Sequence, residues 1–163
     1  MSDVVLEAVE ALGVEFEVVP CDPELADTAQ FCEAYGYEPE ECANTILVVG
    51  KRDPRVYVAC VVLANSRLDV NGAVKKKLGI RRTSFASAEE TLEITGQTIG
   101  GVTTFGLPGD LPIWVDERVM GRDRIILGGG SRERKIYASP AILEALPNVE
   151  VVEGLAKSFE PRA

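Results

Sequence analysis

The strongest pattern along the chain is an uncharged, β-branched stretch, Val56-Tyr57-Val58-Ala59-Cys60-Val61-Val62-Leu63-Ala64. It is far too short to span a bilayer and predicts a buried strand. A second β-branched run at 45–50 precedes it, and the polar separator Lys51-Arg52-Asp53-Pro54 ends in proline, so a hairpin is the simplest connection. Before it, Val4, Val5, Ala8, Val9 and Leu12 recur at helical spacing, with Gly13 placed to end the helix. Residues 14–18 then alternate as a half-buried strand. Asp27 with Gln30 three residues on predicts a capped helix, and Pro39 suits the first position of a short one.

Further along, Asn71 is placed to cap a helix through Leu78 that Gly79 closes. Ser87-Ala88-Glu89-Glu90 is a full capping box ahead of another helix. Strands follow at 111–115, 124–127 and near 135–138. Ser139 and Pro140 open a last helix through Leu146, and 149–152 alternates as a final strand. No repeat, low-complexity tract or linker interrupts this order, so one domain over 1–163 is expected. Strands arrive in adjacent pairs without strict βαβ alternation. The predicted fold class is therefore α/β with a mixed, largely antiparallel and barrel-like sheet surrounded by helices.

Composition narrows the chemistry. The chain has no histidine and its four cysteines, Cys21, Cys32, Cys42 and Cys60, form no C-x-x-C pair. A Ser-His-Asp or Cys-His machine is excluded, and neither a metal nor a cofactor is expected. Met1-Ser2-Asp3 begins no positive-then-apolar leader, so a cytoplasmic protein with reduced core cysteines is expected. A net charge of −9 argues against wholesale coating of a nucleic-acid backbone. One local inversion stands out: Lys75, Lys76, Lys77, Arg81 and Arg82 fall within eight positions. They form a solvated helix face or a tRNA contact.

Two glycine-rich segments are the remaining signal. Gly96-Gln97-Thr98-Ile99-Gly100-Gly101-Val102 is no P-loop, because Val102 stands where a phosphate-binding lysine is needed and a helix precedes it. Gly100 and Gly101 would still let a backbone approach a ligand closely, with N–H groups able to hold an oxyanion. Gly128-Gly129-Gly130-Ser131-Arg132-Glu133 follows an apolar strand, and Arg132 offers a fork for a carboxylate or phosphate. Both segments also suit plain tight turns.

Taken in order, these pieces resemble the YbaK/ProX family, free-standing relatives of the editing domain inserted in bacterial prolyl-tRNA synthetases. The resemblance lies in Thr95-Gly96-Gln97-Thr98-Ile99-Gly100-Gly101 and Leu107-Pro108. It continues through Ile113-Trp114-Val115-Asp116 and Gly128-Gly129-Gly130-Ser131-Arg132-Glu133, with Ala43-Asn44-Thr45-Ile46-Leu47-Val48 upstream. It implies a closed mixed sheet and metal-free hydrolysis of the ester joining a wrong, small amino acid such as alanine, cysteine or proline to a tRNA. The implied partners are the aminoacylated acceptor end and an aminoacyl-tRNA synthetase. Gly101, with Gly100, would offer backbone N–H groups to the ester, and Gly128, Gly129 and Gly130 would shape the pocket. One departure matters. The family's characteristic lysine falls on Asn44, which donates a hydrogen bond but carries no charge. Arg132 or Lys135 would have to restore that charge. A non-catalytic module keeping the pocket for a small ligand or partner protein is the alternative.

Overall fold

The computed structural model describes residues 4–98 and 101–158. Helix α1 (Val4–Ala11) leads to strand β1 (Phe16–Pro20), a 3₁₀ turn (Pro23–Leu25), α2 (Thr28–Tyr35) and a second 3₁₀ turn (Pro39–Glu41). Strands β2 (Ala43–Gly50), β3 (Val56–Leu63) and β4 (Ser66–Leu68) follow, then α3 (Lys75–Leu78), β5 (Thr83–Phe85) and α4 (Ala88–Thr95). The last third carries β6 (Ile113–Asp116), α5 (Glu117–Met120), β7 (Ile125–Gly128), β8 (Arg134–Ala138), α6 (Ala141–Glu144), β9 (Val149–Val152) and β10 (Ala156–Ser158).

The β2–β3 hairpin is the spine. Residues 43–50 pair antiparallel with 56–63, and alternate β3 side chains serve two cores. Ala59, Val61 and Leu63 face the main core with α1, β7, β8 and α6. Val58, Cys60 and Val62 face a second core with Leu68, Val74, Trp114 and Leu155. A strand buried on both faces has no polar alternation to show, which is why 56–64 reads as an unbroken apolar run. A third, smaller cluster packs Phe31 and Cys32 of α2 against Cys21, Ala26, Cys42 and Ile126. The four cysteines are buried free thiols.

The sheet is mixed and mostly antiparallel, as expected, but it does not close. Five strands run β5-β2-β3-β6-β9, three run β1-β8-β7 and two run β10-β4. Among the described residues, the five-stranded and three-stranded sheets are joined by an isolated bridge, Cys42 with Ile126. Closure fails because β6 and β9 add in parallel on the far side of β3, leaving β9 and the short β5 as edges. The helix start near 70 also differs from expectation. Asp69, not Asn71, accepts from the Ala73 N–H at 3.1 Å, and a wide π turn over Val70–Val74 feeds α3.

Candidate functional site: a cavity between a glycine wall and a side-chain wall

The two glycine segments meet. Gly130 N–H donates to Gly101 C=O at 2.7 Å. A Cβ on Gly101 would lie 2.7 Å from the Ser131 backbone, and one on Gly128 would lie 2.1 Å from Val102 O. Neither position tolerates a side chain, because the clashing atoms are backbone and cannot rotate away. Gln97 fixes the shape of the first segment. Its buried side chain accepts from Thr103 N–H at 2.8 Å and donates to Phe105 C=O at 2.9 Å, tying the loop across its neck.

Beside this wall lies a cavity of about 350 Å³, bordered by the start of α2, the first half of β2, β7 and β8. Lys135 enters from β8. It stands opposite Gly128 in the β7–β8 ladder. Its side chain is buried, donates from Nζ to Ala26 C=O at 2.6 Å and lies 5.5 Å from the centre of the Phe31 ring. Burial holds its pKa below the ordinary lysine value of 10.5, since an ammonium loses hydration there. Asn44 enters from β2. Its Oδ1 accepts from the Thr28 hydroxyl, which leaves the amide hydrogens as donors. Thr45 lines the same cavity, and its hydroxyl is buried with no hydrogen-bond partner among the described residues.

The cavity thus combines a cation and neutral donors with an apolar lining from Ala26, Phe31, Cys42 and Ile126. That arrangement suits a small group carrying one oxygen that becomes negative. Cys42 is no nucleophile. Burial and the Cys32 sulfur 3.2 Å away push its thiol pKa upward, away from thiolate. Among the described residues no cluster of histidine, cysteine, aspartate and glutamate could hold a metal ion.

Residues 22–146 match the family described as the aminoacyl-tRNA editing domain. The chain belongs to this family. Among solved structures, this editing domain is similar to the hypothetical protein APE2540, with a TM-score of 0.83 and 25% identity over 95% of this chain and 100% of that one. It also resembles a candidate trans-editing enzyme for prolyl tRNA synthetase, with a TM-score of 0.80 and 26% identity, covering 97% and 99% of the two chains. The uncharacterized protein YwhH of Bacillus subtilis (strain 168) is 25% identical over 90% of each chain.

Several residues singled out in the editing domain's sequence lie elsewhere than expected. Gly101 N–H donates to Thr98 C=O at 2.9 Å, closing a turn, so it is not offered to an ester. Val102, not Gly101, borders the cavity, and Gly100 falls outside the described residues. Of the second segment only Gly128 lines it. Gly129 C=O accepts from Arg134 Nε at 2.8 Å, and Gly130 takes φ +85° against Val5. Arg132 turns its fork to the protein's own surface groups, Pro23 C=O at 3.0 Å and Asp27 at 3.2 Å, beside a separate shallow hollow. Within the basic cluster, Lys77 is bound to Glu150 at 2.5 Å and lies over Trp114, whereas Arg81 and Arg82 are exposed where β5 begins. Lys135 and Asn44 are the pair the fold brings together. Thr28, Phe31 and Thr45 gave no sequence signal of their own; the first two lie on the helix expected after Asp27, which stands at the N-cap position without a side-chain capping bond. No helix of the described residues is long and apolar enough to cross a membrane.

Proposed function

We propose that this editing domain acts in trans as an aminoacyl-tRNA deacylase, with Lys135 supplying the charge that Asn44 lacks. The observation that carries the proposal is the placement of both residues on one cavity, on strands of two different sheets. Water attacks the ester carbonyl, forming a C–O bond and a tetrahedral intermediate whose oxygen is negative. The buried Lys135 Nζ and the Asn44 amide hydrogens hold that oxygen, the kind of preorganised donors that stabilise a developing charge. Collapse breaks the bond to the tRNA 3′ oxygen, which takes up the proton lost by the water, relayed by the vicinal ribose hydroxyl. Free amino acid and intact tRNA result. The apolar lining and the 350 Å³ volume suit a small side chain such as alanine, cysteine or proline.

Incubation with tRNAs charged with alanine, cysteine, proline and serine tests this directly. Wild type should release amino acid from at least one. Lys135→Gln, folded by circular dichroism, should release it about 100-fold more slowly or worse, the scale seen when an oxyanion donor is lost. No release from any charged tRNA would overturn the proposal. In that case the neutral residue at position 44 favours a binding module without catalysis, testable as affinity for charged tRNA with no turnover.

A further inference from the structure

One aromatic ring at the cavity edge is not used by this chemistry. Phe85 borders the cavity yet is 55% exposed. Single exposed apolar residues are common and need no function, but three further observations distinguish this one. First, the ring stands on a fixed frame. Phe85 pairs with Val48, Ala86 N–H donates to Leu47 C=O at 2.9 Å, and the Thr83 hydroxyl donates to Val70 C=O at 3.0 Å. The Ser87–Glu90 capping box then pins the chain immediately after it. Second, Phe85 borders the same cavity as Ile46 and Asn44, so a base held on the ring lies at the mouth of the proposed site. Third, the charge around it is inverted. Residues 51–55 and 81–90 hold Lys51, Arg52, Arg55, Arg81 and Arg82 against Asp53, Glu89 and Glu90, in a chain whose net charge is −9. Lys51 N–H donates to Arg82 C=O at 2.8 Å, so the hairpin tip and the start of β5 form one exposed cationic end.

A rigid, exposed aromatic beside clustered arginines is the arrangement that binds single-stranded nucleic acid: the ring stacks a base and the cations meet the phosphates. Resting on the editing function proposed above, we propose that Phe85 is the stacking platform for a base of the tRNA's 3′ single strand. Lys51, Arg52, Arg81 and Arg82 carry the phosphates that lead to it. A single strand alternates phosphates with flat bases, the pattern that cations flanking one exposed ring complement. Phe85 is thus a binding residue for RNA and takes no part in breaking the ester.

The test uses uncharged tRNA carrying 2-aminopurine at one of its 3′-terminal positions, so that it reads stacking without hydrolysis. Binding of wild type should quench the probe's fluorescence. Phe85→Ala should abolish the quench and weaken binding roughly 5- to 150-fold, the range that loss of one stacked base produces. Phe85→Trp should restore both. Arg82→Glu should weaken binding and flatten its dependence on salt, leaving the quench at saturation intact. Equal quenching by wild type and Phe85→Ala overturns the inference. So does Phe85→Ala deacylating a charged tRNA with unaltered KM, a result that leaves the editing function standing. Failure of wild type to bind uncharged tRNA at all overturns the inference together with tRNA recognition.

Discussion

The two walls of the cavity are built on opposite principles. On one side, the segments around Gly101 and Gly128 lock backbone to backbone, and the polar groups of Gly101 are consumed by Thr98 and Gly130. On the other, α2, β2 and β8 present side chains: Thr28, Phe31, Asn44, Thr45 and Lys135. The Gly101 groups of the first wall are spent within it; the second carries every donor named in the proposed reaction. A glycine-rich segment therefore marks where the chain must pack tightly, and the reacting groups stand across from it.

Damage to the glycine wall should be the most destructive. Gly128→Val forces a branched side chain into the Val102 carbonyl, and a loss above about 4 kcal/mol is expected, enough to leave little folded protein. A urea midpoint near that of wild type would show that the wall is not backbone-locked. The side-chain wall should yield less abruptly. Phe31→Ala removes a fully buried ring stacked on Tyr35 and Tyr37, at a cost of about 3–5 kcal/mol. A loss under about 1 kcal/mol would mean that α2 closes over the gap.

Gln97→Ala strips partners from Thr103 N–H and Phe105 C=O, each worth about 1–3 kcal/mol when buried unpaired. Urea unfolding should show at least the lower figure, together with faster amide exchange at Thr103; no change in exchange would remove Gln97 as the clamp of the glycine wall. The smallest effect is on pH dependence. Because the folded pKa of Lys135 lies below 10.5, the unfolded chain binds more proton between the two values, and stability rises with pH there. Wild type should therefore gain stability relative to Lys135→Met as pH rises toward about 10.5, where the difference levels off. A constant or falling difference would mean that burial does not disfavour the ammonium.

Much of the frame was legible in the sequence because it rests on local signals. The run at 56–64, the polar hairpin at 51–54, the Ser87 capping box and the closing glycines at 13 and 79 each appear where periodicity and turn chemistry put them. The strands β4, β5 and β10 did not stand out, because three residues hold no period to read. Closure of the sheet was a question of which strands add to β3, a long-range choice that no local pattern records. At the site, glycines drew the eye by their density, yet the direction of the Gly101 N–H depends on a turn to Thr98 that only coordinates show. Lys135 could be named as a charge on a strand. That it points inward shows only in its contacts with Ala26 C=O and the Phe31 ring, which come from a distant part of the chain.

The central claim is that a lysine on β8 does the work of one absent from β2, and a charge exchange tests it most directly. Asn44→Lys alone places two ammonium groups on one buried cavity, so deacylation should stay level or fall. Lys135→Asn alone should cost about 100-fold. The double variant Asn44→Lys/Lys135→Asn returns one cation to the same cavity from the other strand and should recover most of the lost rate on the same charged tRNA. Single-turnover rates for the four proteins are the measurement. Recovery to within about tenfold of wild type, against the 100-fold loss in Lys135→Asn, is the predicted result; a double variant no faster than Lys135→Asn would contradict it.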